Sequence, residues 1–185
     1  GLIGHPGHVI VGSTDEEYHT HRRIMILAAI AASLFATIGL GQYVEDSIDV
    51  GGRSVGSLAY NSRADVVYGV SESGDLFFAI DCATNQVVET WPFRQALDVV
   101  YDSIDNKAYS IFGDSLLVID GQSHVRRGAV YLGSDGRECV WDDVSNRLYV
   151  SCYGRDVAVV DCSTDSLVAR VRAGREPYLL ALNRQ

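Results

Sequence analysis

The chain has 185 residues, 47% of them hydrophobic and 21% charged, with a formal net charge of −9. That balance supports a packed core and excludes bulk disorder, and the length suits one domain with a tail. Lys and Arg cluster in nothing longer than short pairs, so a nucleic-acid surface is excluded and the acidity serves solubility.

Residues 1–21 carry four of the five histidines (His5, His8, His19, His21) and read as an unstructured leader rather than a metal site. Residues 22–41, "RRIMILAAIAASLFATIGLG", place Arg22 and Arg23 before an uncharged apolar run from Ile24 to Leu40, with Gly39 and Gly41 beyond it. A positive start, an apolar middle and a small-x-small end are the layout of an export signal cleaved after Gly41. An uncleaved membrane anchor through 24–40 is the second reading, since 17 residues lie at the short end for a spanning helix. A buried helix is the third.

Beyond Gln42 the chain repeats. Tyr68, Tyr109 and Tyr149 recur at spacings of 41 and 40, and Asp81, Asp120 and Asp161 at 39 and 41. Gly74, Gly113 and Gly154 each stand seven residues before their Asp, and Thr84, Ser123 and Thr164 three after it. Asp65, Asn106 and Asn146 precede each Tyr by three, and Tyr60, Tyr101 and Trp141 by eight. Six columns in register three times make a repeat.

Each unit divides into four strands. The first strand, A, is expected near Ser57–Tyr60, Leu97–Tyr101 and Glu138–Trp141, and B near Val66–Val70, Ala108–Phe112 and Arg147–Cys152. C falls at Leu76–Ile80, Ser115–Ile119 and Asp156–Val160, and D at Gln86–Trp91, Val125–Leu132 and Leu167–Arg172. The C strands "LFFAI", "SLLVI" and "DVAVV" lack the alternation of a sheet wetted on one side, so both of their faces are expected to be covered. In "DCAT", "DGQS" and "DCST" the Asp can accept backbone N–H groups two residues on, with Ser or Thr adding a second bond. These acids are therefore turn formers, not catalysts. Four antiparallel strands every 40 residues or so predict an all-β fold of β-propeller blades, at about 55–92, 96–132 and 137–173.

The third unit, "NRLYVSCYGRDVAVVDCSTDSLVARVRAGREP" (Asn146–Pro177), resembles the YVTN-type β-propeller repeat of surface-layer and periplasmic propeller proteins, within the WD40-like superfamily. The likeness rests on its N-x-x-Y-V start, its V-x-V-V-D-x-x-T centre and an end carrying Ala173, Gly174 and Pro177. The first two units are degenerate and lack the Gly-x-x-Pro end, which "ETWPFRQAL" replaces in the first; in the third, Cys152 stands where the family has Asn. The resemblance covers about Tyr43 to Asn183 and implies a fold far more than an activity.

A propeller closes with four to eight blades. "YVEDSIDVGGRSVGSLAYN" at the start parallels "LVARVRAGREPYLLALNRQ" at the end, which predicts a lone D strand at 43–50 and a lone A strand at 178–183. A partial propeller within 42–185 follows, read as part of a longer ring, with assembly of several copies as the alternative. Open blade edges would then invite self-association.

The four cysteines include Cys82 and Cys162, in one column two blades apart and too distant to bond. Cys139 and Cys152 lie on neighbouring strands, nearly opposite, and a bridge between them is left open. No C-x-x-C, H-E-x-x-H, G-x-S-x-G or phosphate loop is present, and the one His of the repeats, His124, falls in a C–D turn. No catalytic residue, metal or cofactor is accordingly expected. The D–A loops share one pattern: Arg53, Arg94, Arg137 and Arg175. D–A and B–C loops lie on one face of a propeller, so these residues, with Tyr153 and Arg155, are the candidate ligand site for an anionic protein or glycan. An exported binding or scaffold module is the expected function. The alternative is a propeller enzyme, a lactonase or quinoprotein-like dehydrogenase subunit, with its catalytic set in other blades.

Overall fold

The computed structural model describes residues 47–51, 54–71, 75–92 and 95–183. The leader, the 22–41 segment, Arg53, Gly74 and Arg94 lie outside them. Among the described residues the protein is all-β, with twelve strands and no helix. Consequently no helix there is long and apolar enough to cross a membrane.

The first sheet comprises β1 (Ser57–Asn61), β2 (Val66–Ser71), β3 (Leu76–Asp81) and β4 (Gln86–Pro92). The second holds β5 (Ala96–Asp102), β6 (Lys107–Phe112), β7 (Ser115–Asp120) and β8 (Arg126–Tyr131). The third holds β9 (Gly136–Asp142), β10 (Arg147–Cys152), β11 (Asp156–Asp161) and β12 (Ser166–Arg172). Each sheet is an antiparallel meander in chain order, and the expected A to D strands coincide with these to within two residues. Even the irregularities repeat: the C–D pairing slips at Ala79/Ile80, Val118/Ile119 and Val159/Val160, each time just before the turn Asp.

The turn chemistry explains the conserved spacing within the chain. Asp65, Asn106 and Asn146 end each A–B turn at positive φ (54°, 54° and 51°), a conformation that Asn and Asp tolerate. The aromatic of strand A holds each one: Tyr60 donates to Asp65 at 2.9 Å, Tyr101 to Asn106 at 2.8 Å and Trp141 Nε1 to Asn146 at 3.2 Å. At the C–D turns Asp81 accepts from the Thr84 N–H and hydroxyl, and Asp120 from those of Ser123. In the third blade the hydroxyl comes from Ser163, two residues on, while Thr164 turns to Ser166. Ser163 thus takes the hydroxyl role that Thr84 and Ser123 play in the other two blades. These donors hold the carboxyls below the ordinary range, chiefly through the Thr84 hydroxyl at Asp81, the Ser123 N–H at Asp120 and the Ser163 hydroxyl at Asp161.

The sheets stack blade on blade, with β1, β5 and β9 in succession. One apolar cluster joins the first two blades through Tyr68, Val70, Phe77, Ala96, Val99 and Ile119. Another joins the second and third through Ile111, Leu116, Leu132, Leu148, Val150 and Val160. The β3, β7 and β11 centres are buried, as their unalternating sequences require, whereas every residue of the outer strand β12 is exposed.

The repeated Tyr is an inter-blade latch. Tyr68 reaches the second blade's C–D turn, with its hydroxyl 2.7 Å from His124 Nδ1. Tyr109 reaches the third blade's, donating to Asp165 at 2.6 Å and to the Cys162 carbonyl at 3.2 Å. A second column works at the inner edge: Asp98 accepts the Cys139 N–H at 2.8 Å, and Glu138 accepts the Leu180 N–H at 2.7 Å, each from the following unit.

The two lone strands expected at 43–50 and 178–183 have no pairing partner among the described residues. Residues 178–183 form no ladder, and neither do 47–50, the described part of the predicted first strand. The 178–182 stretch nevertheless lies in the strand A place beside β9, held by Glu138 and by the Ser151 hydroxyl, which donates to the Tyr178 carbonyl at 3.1 Å. No second strand pairs with it among the described residues, and a ladder needs both partners. All four cysteines are free thiols: Cys139 faces Val150 and Cys152 faces Gly136 across the β9–β10 pair, so neither is opposite the other.

Candidate loop-face site

The B–C loop of the third blade and the flanking D–A loops are tied by main-chain hydrogen bonds. Tyr153 N–H reaches the Asp135 carbonyl at 2.7 Å, Ala173 N–H the Arg155 carbonyl at 2.7 Å, and Glu176 N–H the Gly154 carbonyl at 2.8 Å. Gly154 and Gly174 take φ of 107° and 110°, which only Gly adopts without strain, and this lets both loops fold back on each other. The shared face expected for these loops is therefore built by backbone bonds.

On that face Arg137, at the start of β9, lies between two tyrosines. Its guanidinium carbon is 3.6 Å from the centroid of the Tyr153 ring and 4.9 Å from that of Tyr178. Aromatic faces carry negative potential, so the pair stabilises a partly desolvated cation while restricting its motion. Both rings stay open outward, at 52% and 62% exposure. Arg137 Nε is buried without a hydrogen-bond partner among the described residues, and no ion pair to Arg137, Arg155 or Arg175 occurs among them. Beside this triad an open cleft of about 510 Å³ is lined by Gly154, Arg155, Arg175 and Glu176.

Of the expected site residues, the structure brings together Arg137, Tyr153, Arg155 and Arg175; Arg53 and Arg94 lie outside the described residues. Tyr178 joins the four brought together, although the loop pattern does not single it out. The signal was present, because Tyr178 occupies the Arg137 column 41 residues on, at the start of the next strand A.

Burial pushes the Cys139 thiol well up and raises the Cys162 thiol to about 12, so neither is a ready thiolate. No group of three His, Cys, Asp or Glu is placed to hold a metal among the described residues.

Fold and site define a class: β-propeller blades that present a cationic, aromatic loop face. No family model matches the sequence, and no curated protein matches it. Among solved structures, Kuenenia stuttgartiensis hydrazine synthase aligns with a TM-score of 0.61 at 18% identity, over 75% of this chain and 41% of that one. The chain thus spans less than half of that protein's length, and the likeness concerns the fold. With 1131 solved chains resembling this one, the fold by itself selects no activity.

Proposed function

We propose that the chain is an exported β-propeller repeat protein of the YVTN type that binds a protein or glycan ligand on its B–C and D–A loop face. The observation that carries this reading is Arg137, unpaired among the described residues and flanked by the exposed rings of Tyr153 and Tyr178, in a chain of net charge −9. A charge left unneutralised in an acidic protein, between two rings left in water, costs solvation that a ligand can repay. Export is supported by the Arg22–Gly41 segment, and YVTN membership by Asn146–Pro177.

An array of glycans and peptides probed with the full chain tests the binding role. The wild type is expected to retain ligands that the Tyr153→Ala/Arg155→Ala/Arg175→Ala variant loses. Identical patterns from the two would remove this face from the function. For export, residues 1–45 fused to a phosphatase active only outside the cytoplasm should give activity, and a silent fusion contradicts it.

A further inference from the structure

Resting on the binding reading above, we infer that the ligand of the loop face is an acidic saccharide, a chain bearing uronic-acid carboxylates, and that Arg137 is the carboxylate clamp.

Three features select this chemistry. The first is the clamp. Guanidinium matches a carboxylate in planar, bidentate geometry, and the contacts of Arg137 with the Tyr153 and Tyr178 rings restrict its motion before any ligand arrives. With Nε buried and unpartnered among the described residues, and with no carboxylate paired to it there, the clamp is charged and empty of protein partners. The second is the pair of platforms. The rings hold Arg137 on one side and are more than half exposed overall. A pyranose ring presents a face of polarised C–H bonds, and these fit the negative face of an aromatic ring without asking it for a hydrogen bond. An acidic peptide has the carboxylates but not the flat, repeated C–H face, so two tyrosines beside one clamp favour the sugar. The third is direction. The Gly154, Arg155, Arg175 and Glu176 cleft continues from the triad along the same two loops. It adds two cations, Arg155 and Arg175, that would meet acids further along a polymer. Glu138, next to the clamp in sequence, accepts the Leu180 N–H at 2.7 Å and forms no ion pair with Arg137 among the described residues.

Titration calorimetry of the full chain tests the assignment with four probes: oligogalacturonate, the same oligomer methyl-esterified, a neutral oligosaccharide of equal length, and oligoglutamate. The expected result is binding of oligogalacturonate alone, weakened by added salt because surface charges are screened. Esterification should weaken it at least about tenfold, since it removes the charge that the fork recognises. Arg137→Lys keeps the charge but not the fork and should lose a similar factor, while Tyr153→Phe keeps the ring and should bind as wild type does. Tyr153→Ala should bind weakly. Melting temperatures of the variants separate lost binding from lost folding, and Tyr153→Phe stays informative if Arg137→Lys fails to fold. Preference for oligoglutamate or the neutral sugar, lost on Tyr153→Ala, would overturn the acidic saccharide and leave the binding face standing. No binding of any probe here, together with identical wild-type and variant arrays, would overturn both. Equal binding of acid and ester would overturn the role of Arg137.

Discussion

The junction between the first and second blades and the junction between the second and third use the same columns with different chemistry. In the first, neutral groups meet: Asn61 Nδ2 donates to the Gly121 carbonyl at 2.7 Å and to the Tyr68 hydroxyl at 3.1 Å, with His124 closing the cluster. In the second, Asp102 replaces Asn61 and Lys107 replaces Val66. Lys107, at 7% exposure, then donates to the Cys162 carbonyl and to Asp165 at 2.8 and 2.9 Å. The lysine does from β6 what the asparagine amide does from β1. On the third blade the same columns hold Asp142, Arg147 and Tyr149, and among the described residues nothing covers them as a following C–D turn covers the others. Tyr149 is half-buried there, whereas Tyr68 and Tyr109 are 0% exposed. The lesson is that these columns specify a donor facing a C–D turn, not a residue type, and that the latch forms only where the next turn is present.

Breaking the charged junction gives the largest effect. Lys107→Val should cost about 3 kcal/mol, because the Cys162 carbonyl and Asp165 lose their buried donor and the buried Asp102 carboxylate loses a cation near it. Adding Asp102→Asn rebuilds the neutral Asn61–Val66 combination, and most of the loss should return in a denaturant melt. Failure of the second change to recover stability would mean that the two junctions are not interchangeable.

The Tyr column gives the next effect. Tyr109→Phe should cost about 1–2 kcal/mol, the worth of a hydrogen bond to a charged group that is partly open to solvent. Tyr149→Phe should stay within about 0.5 kcal/mol, as for other changes away from buried networks.

The smallest stability effect is a pH dependence. Burial raises the Asp102 carboxyl above its ordinary value, despite the N–H groups of Asp105 and Ile104 that favour its charge. The folded state therefore holds this proton more tightly than the unfolded chain does. Its ionisation adds no cost below the ordinary value of 3.8, and the cost grows as pH rises until it is complete above the raised folded value. The stability of Asp102→Asn relative to wild type should accordingly rise with pH across that window, as measured by melts at a series of pH values. A flat difference would mean that Asp102 is not desolvated.

The blade was legible in the sequence because each of its turns closes within a few residues. Asp81 with Thr84, Tyr60 with Asp65, and Gly154 in its B–C loop are local events, and period finds them. What Tyr68 and Tyr109 do is not legible, since their partners lie 53 to 56 residues away in the next unit, and no spacing names the atom each meets. The expected lone A strand has no pairing partner among the described residues, and 178–182 keeps its place through two side chains, the Glu138 carboxylate that accepts the Leu180 N–H and the Ser151 hydroxyl that donates to the Tyr178 carbonyl. Arg137 is legible as a D–A loop arginine, but its tyrosine partners emerge only with the backbone bonds that join the loops.

The claim that C–D turns are sealed by the preceding blade has a direct test in the cysteine column. Cys162 follows the turn Asp of the third blade and is 0% exposed beneath Tyr109, whereas Cys82 follows that of the first and is half-buried. Brief iodoacetamide treatment of the native chain, read by peptide mass spectrometry, should label Cys82 at least about tenfold faster than Cys162, since modification follows access and thiolate fraction. Equal labelling of the two in the folded chain would contradict the blade-to-blade latch.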